Sequence, residues 1–559
     1  MANAVTSHPV IAALLAIVVT LLGRFVQKGY KVRKAVHGAP GPPHSWIWGH
    51  LLVMNELMTS GEVPIKVHPH VTPLAFRQKY KLGPYFYLDF WPFGPVMLCC
   101  ADPELGAQFT TLHSTRKHPE VVTTMQTIAG PGDLVSTSGS HWRKWRSVFN
   151  PGFAAQHLMS LVPGIVDDCK VFAEVLTALA EAGKPFRMEE YATRLTIDVI
   201  GKVVLNMRFD TQTGSNPMVN ALRDQIFWIP NDTAMDPFKP YYPRGIYHRW
   251  QNSRTINNYL GEVLDKRFQE ILHEKSADES TSSKERKRAI IDLAVESYDK
   301  EADSKTHQTT RLSSDFRRNA ITQIRVFLFA GHDTTSAAIC YALYYLSKDP
   351  SALSKIRHEH DAVLGPVEQT EEALKRDPYL ISKLPYTTAV IKEVLRLNPA
   401  ASSIRAADSQ THLTDPKTGE PLIMVPDMML WLLHWSMHRD PEIWGPTVNT
   451  FNPDRFLPEN AATLPEAYWR PFERGTRNCI GQDLAMIESR VALALVVRQF
   501  KFTAAFDAVN QMAGDGTMYG KDPKYREGRQ ELLGDEAYPV LVGTAKPREG
   551  MPMRVKLAA

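Results

Sequence analysis

One cysteine stands in unusual company. The run from Arg470 to Met486 reads RPFERGTRNCIGQDLAM, in which Phe472, Gly475, Arg477, Cys479 and Gly481 form the pattern FxxGxRxCxG. A structural cysteine has no need of arginines and glycines. A ligating thiolate does, because it wants backbone donors and positive potential, and a helix expected over residues 480–500 begins, positive end first, at that point. Glycines at 475 and 481 let backbone approach a flat ligand closely, and Arg477 can meet an anionic group on it.

A second stretch interrupts a long helical pattern. FLFAGHDTTSA (Phe327 to Ala337) puts Gly331, Asp333, Thr334 and Thr335 in a helix interior. Glycine costs about 1 kcal/mol there, and a threonine hydroxyl competes for the carbonyl four residues back. Helices keep such defects mainly where something must pass close. Three further clusters carry charge in patterns that mean little singly. KEVLRLNP sets Glu393 and Arg396 on one helix face, with Arg405 nine residues on; FNPDRF supplies Arg455; SHWRKWRSVFNPGF sets Trp142 and Arg146 one turn apart.

In this order, and over nearly the whole chain, these motifs resemble the cytochrome P450 superfamily. The resemblance implies a mainly α fold with small β-sheets, a haem-thiolate domain preceded by one N-terminal transmembrane helix. The cofactor is then haem b, with Cys479 as the axial thiolate whose electron donation favours O–O cleavage. Phe472, Gly475, Arg477 and Gly481 shape its loop, and Trp142, Arg146, Arg405 and Arg477 match propionate-binding positions. By the same resemblance Ala330 and Gly331 leave room for dioxygen, and Asp333 and Thr334 relay protons to it. His332 is left as a helix-side residue, and Ala330 precludes the covalent haem link that a glutamate makes in some members. Glu393, Arg396 and Arg455 form a buried structural network whose charges must all be paired. Val326, Phe329, Ala330 and residues 400–403 (Ala400, Ala401, Ser402 and Ser403) sit at pocket positions. The small side chains at 400–403 suggest room for a polycyclic or polyketide-like molecule. The general texture is similar to fungal members serving secondary metabolism.

The rest of the chain must position these groups. Its 559 residues, 44% hydrophobic and 22% charged, suit a large globular core, and a net charge of +4 argues against a nucleic-acid partner. Five cysteines without a CxxC pair make neither a disulfide framework nor a four-cysteine metal site. PVIAALLAIVVTLLG (Pro9 to Gly23), continued by Val5, Phe25 and Val26, is long enough to span a membrane. No lysine or arginine precedes it, whereas Arg24, Lys28, Lys31, Arg33 and Lys34 follow, which leaves the globule in the cytosol and suits the endoplasmic reticulum. The expected division is an anchor and basic flank over 1–37, a proline-rich hinge over 38–45 and the catalytic domain over 46–559. Residues 228–245 form an apolar loop, a candidate lid or membrane contact or equally an ordinary packed loop, and residues 274–288 a solvated connector. Ser314 or Asp315 is expected to cap a helix that ends before Pro350, and strands are expected near residues 85–90, 96–101 and 538–543.

No GxGxxG fingerprint, iron–sulfur cysteine cluster or reductase-sized extension accompanies the motifs. Electrons are therefore expected from a partner, an NADPH-dependent flavoprotein reductase. Exposed Arg143 and Lys144 would give an acidic donor a docking charge. The leading reading is a monooxygenase that puts one atom of O2 into a lipophilic substrate. The alternatives are an O2-independent haem-thiolate isomerase or dehydratase, which Asp333–Thr334 argues against, and a non-catalytic haem sensor.

Overall fold

The computed structural model describes residues 9–558 except 114, 230–237, 278–288, 304–310, 463, 513, 516, 518 and 520–526. Helix α1, Pro9–Val36, exposes its apolar residues from Val10 to Val26 almost without interruption. Its span Val10–Val36 is long and apolar enough to cross a membrane.

Within the basic flank Arg33 stands apart: it is 1% exposed, pairs with Asp89 and donates through Nη2 to Trp91 O (2.7 Å) and Ile47 O (3.1 Å). The helix runs unbroken through this flank because it docks on the globule, with Val36 buried and Phe25 packed on Trp91 at 4.5 Å.

The principal sheet orders its strands β1-β2-β5-β4. β1 (Tyr85–Asp89) is antiparallel to β2 (Val96–Cys100), β2 is parallel to β5 (Met429–Leu432), and β5 is antiparallel to β4 (Ser403–Ala406). A smaller sheet joins β3 (Phe186–Arg187), β9 (Pro552–Leu557) and β6 (Phe500–Ala504). A hairpin of β7 (Pro539–Val542) and β8 (Thr544–Pro547) completes the β structure described. The strand-like runs near 85, 96 and 538 thus become β1, β2 and β7.

Helices dominate the remainder. They include α2 (Gly139–Phe149), α3 (Ala155–Ala182), α4 (Met188–Leu205), α5 (Pro217–Phe227), α6 (Pro243–Ala277), α7 (Ser314–Lys348), α8 (Pro385–Leu397) and α9 (Gln482–Val496). α7 is the axle, about 50 Å long at 1.5 Å per residue and buried on most sides from Ala320 to Leu346, as a central helix must be. Its cap is Ser313, whose hydroxyl accepts from Phe316 N, so neither Ser314 nor Asp315 caps it. It stops where Pro350 forces Asp349 into an extended conformation. α9 ends at Val496, short of the expected Phe500. That residue instead enters β6 opposite Leu557, where strand pairing overrides helical propensity. The apolar loop over 228–245 falls partly outside the described residues, although Tyr241 and Tyr242 beyond the gap are exposed. α6 carries the start of the expected connector to Ala277; residues 278–288 lie outside the described residues.

Candidate active site

The cysteine loop is set by turns that its sequence demands. Gly475 has φ +78°, and a Cβ there would come 2.9 Å from Thr111. Cys479 N donates to Phe472 O (2.8 Å) and Asn478 N to Gly475 O (3.1 Å), which curls the chain back before α9. Arg146 reaches across from α2, donating from Nη1 to Asn478 O and from Nη2 to Asn478 Oδ1, both 2.9 Å. Arg477 lies 4.6 Å from the Trp142 ring and donates to Thr137 O (2.6 Å) and Ser138 Oγ (3.1 Å). Trp142 and Arg146 therefore hold the loop against α2. Among the described residues, nothing beyond its own chain neighbours lies within 4 Å of a Cβ built on Gly481, so packing does not explain that glycine.

Cys479 is exposed, yet burial pushes its thiol pKa upward, while the Gly481 N–H and the charge of Arg146 pull it back. An exposed surface on a thiol that protein nonetheless surrounds means that it faces an internal space. Ala330 is likewise exposed, with Gly331 and Thr334 half-buried beside it, in a run of α7 that is otherwise buried from Ala320 to Tyr344.

The polar surroundings fit haem. Lys117, Arg405 and Arg477 crowd one region. Burial, then Arg405 and Arg477, depress Lys117 well below the usual lysine range; Arg477 is lowered to about 10 by burial and by Arg405 and Arg146. Glu473 opposes this for Lys117 and Arg405, and Asp133 for Lys117 and Arg477. Glu473 itself is already engaged by Arg470 and, at 3.3 Å, by His434. Arg405 is 1% exposed, donates to Ile404 O at 3.4 Å, and has a buried Nε with no hydrogen-bond partner among the described residues. A flat ligand with carboxylates on its edge supplies the anions this cluster lacks. Sequence reasoning missed Lys117 and Glu473. Neither lies at a motif position; Glu473 carries φ +60°, a turn that only the folded loop reveals.

On α7 the expected groups part company. Thr334 Oγ1 donates to Ala330 O (3.0 Å) on the partly exposed face. Asp333 is 3% exposed and turns to the terminal hairpin: Oδ2 accepts from Thr544 N (2.9 Å) and Thr544 Oγ1 (2.6 Å), and Oδ1 lies 3.1 Å from Lys546 Nζ. A Cβ on Gly331 would come 2.7 Å from the Ile200 side chain of α4, so packing at this point of α7 also favours glycine. His332 is buried against Leu328 O, and burial lowers its pKa to about 4.

The charged network joins Glu393 to Arg396 by close hydrogen bonds and to Arg455 more loosely. Arg396 Nε and Nη2 each donate to Glu393 at 2.7 Å, and Nη1 donates to His438 O (2.7 Å) and Val448 O (2.8 Å). Arg455 Nε stands 3.6 Å from Glu393. Of the pocket candidates, Val326 and Phe329 are buried in the core, whereas Ala401 is exposed and Ala400 and Ser402 half-buried. Ala400 O accepts from Ala545 N (3.0 Å) and Ser402 Oγ from Trp431 Nε1 (2.7 Å), so the 400–402 segment is fixed to the hairpin and to β5.

Comparison with known proteins agrees with this geometry. A family model described as Cytochrome P450 matches residues 39–523. The cytochrome P450 monooxygenase polC of Polytolypa hystricis is 34% identical over 96% of this chain and 94% of its own. The cytochrome P450 monooxygenase acrF of Aspergillus aculeatus is 34% identical over 88% of this chain and 98% of its own. A crystal structure of a cytochrome P450, CYP102L1, superposes with a TM-score of 0.67 at 21% identity, covering 88% of this chain and 99% of that one.

Proposed function

The chain belongs to the cytochrome P450 family, monooxygenases with a cysteine-ligated haem, and from that premise we propose which reaction and which residues are its own. The enzyme inserts one oxygen atom of O2 into a lipophilic small molecule, of polyketide-type dimensions, and takes electrons from NADPH through a partner flavoprotein reductase. It is held to the membrane by α1, residues 1–37 serving as anchor and basic flank, 38–45 as the link, and 46–559 as a catalytic domain on the cytosolic side of the endoplasmic reticulum.

The observation that carries this reading is an enclosed yet exposed thiol beside a cation cluster short of anions. Cys479 is the residue that would ligate the iron, and Lys117, Arg405 and Arg477 those that would take the propionates. Haem bound through a thiolate supplies the activation of O2. The chain supplies the rest. Arg146, through Asn478, keeps the cysteine loop in one conformation. Ala330 leaves space on the exposed face of α7, and the buried flanks of that helix exclude water. Thr334 Oγ1 holds a proton on that face, while the Asp333 carboxylate brings protons in from the hairpin side.

The decisive test is the fate of electrons. Thr334→Ala should still bind haem and substrate and still consume NADPH through the reductase. Product per NADPH should fall by about 100-fold, with hydrogen peroxide making up the difference. Asp333→Asn should slow the whole cycle. Unchanged coupling and rate in both variants would refute the proton-relay assignment.

A further inference from the structure

Lys546 is the buried group that the family motifs leave unexplained. It lies on β8 with its side chain 1% exposed, and it spends its three N–H donors on Asp333 Oδ1 (3.1 Å), Glu189 Oε1 (2.8 Å) and Ser336 Oγ (2.8 Å). Glu189, on α4, also accepts from Thr193 Oγ1 at 2.8 Å. One ammonium thus serves two buried carboxylates. Replacing a buried ion pair by apolar packing commonly costs a fold nothing. What an apolar side chain cannot do is hold the Asp333 carboxylate against the hairpin.

We propose that Lys546 is a positioning residue for proton delivery: it parks Asp333 on the hairpin side of α7 and makes release of that carboxylate depend on the hairpin that borders the substrate positions. The proposal rests on the reading of Asp333 as a proton carrier. Both Asp333 oxygens are occupied by the hairpin, so a swing toward Thr334 must first break the contacts to Thr544 and Lys546. The hairpin in turn reports on the pocket. Ala545 N is bonded to Ala400 O, and the turn at Gly543, with φ +72°, is so close that a Cβ would lie 3.0 Å from Asp333 Oδ2, 3.0 Å from Ile226 and 3.4 Å from Phe329. A molecule that displaces Phe329 or the 400–402 segment moves the hairpin and thereby loosens Asp333. Proton delivery then follows substrate arrival, which limits wasteful turnover of an empty enzyme.

The charged and titratable groups facing this site are Asp333, His332 and Cys340 from α7, Glu189 from α4, and, beyond it, Glu190 paired with Arg223 of α5. Lys546 keeps its proton, because Asp333 and Glu189 together outweigh the effect of burial.

The test is the double variant Lys546→Gln/Glu189→Gln in the full-length holoenzyme with reductase. It removes one positive and one negative charge, so the net charge of the cluster is unchanged while Asp333 loses its cation. Deuterium exchange at the β7–β8 hairpin, followed without NADPH, should rise about tenfold at Thr544, whose amide bonds Asp333. Substrate should produce a similar rise in the wild type and none further in the variant. Product per NADPH should fall at least threefold. Thr544→Val, which removes one bond to Asp333 and keeps the hairpin's shape, should give the same changes in smaller measure and decides the matter if the double variant does not fold. If Asp333→Asn slows the cycle while these variants keep wild-type exchange and coupling, Lys546 has no positioning role. If Asp333→Asn itself leaves both rate and coupling untouched, the relay reading fails and takes this proposal with it.

Discussion

Arg33→Met tests whether helix α1 and the globule are one mechanical unit. Methionine keeps the length of the stem and deletes the charge. Arg33 and Asp89 have side chains 2% and 0% exposed, and the guanidinium also closes two carbonyls, Ile47 O and Trp91 O. Removing one partner of such a buried pair costs about 3–5 kcal/mol, most of it the orphaned carboxylate. His44 Nε2, 3.2 Å from Asp89 Oδ2, and Trp91 N, 3.1 Å from Oδ1, keep some stabilisation, which favours the lower figure of about 3 kcal/mol. Because each 1.4 kcal/mol is a factor of ten, undocking of residues 37–52 should become about 100-fold more populated. Chymotrypsin has Trp46 and Trp48 within that segment, and cleavage tracks the open population when opening and closing are fast. In detergent micelles the variant should therefore be cut there about 100-fold faster, with the catalytic domain intact. Arg24→Met, on the same helix, should behave as wild type. A truncation that begins at Lys28 and keeps the pair should be more stable than one that begins at Gly38. If Arg33→Met were cut within threefold of the wild-type rate, the ion pair would not couple anchor to domain.

Two further outcomes bear on the site. Cys479→Ser should lose the red-shifted ferrous–CO Soret band expected of thiolate ligation; an unshifted band in folded, haem-loaded wild type would remove Cys479 from its role. Arg396→Met leaves Glu393 buried opposite an Arg455 that is 3.6 Å away and strips donors from His438 O and Val448 O, so stability should fall by about 3–5 kcal/mol, read as a lower urea midpoint at unchanged slope.

Local pattern made much of this molecule legible. The glycines at 475 and 481, the arginines around Cys479 and the spacing of Glu393 from Arg396 are short-range features, and helix geometry converts them directly into position. The long helix was readable for the same reason, down to its stop at Pro350. What escaped were partners brought from far along the chain. Nothing near Arg33 announces Asp89, which is why a buried pair read as a basic flank. Lys117 and Lys546 look like ordinary surface lysines until the fold surrounds them with other charges. The end of α9 was misplaced because Phe500 follows β9 rather than its own neighbours.

Helix geometry also recasts the acid–alcohol pair. Consecutive residues on a helix point about 100° apart, whereas residues four apart share a face. Thr334 therefore belongs with Ala330, and the structure joins those two by a hydrogen bond on the partly exposed face. Asp333 belongs with Phe329, and both meet the hairpin turn at Gly543. Adjacent in sequence, the acid and the hydroxyl thus look into different compartments, one lined by Ala330 and one closed by β7–β8. An acid fixed beside Thr334 would face the same space at all times and could not depend on the state of the hairpin. Placed around the corner, it reaches that space only by a rotation about its own side-chain torsions, and the barrier to that rotation is set by Thr544 and Lys546.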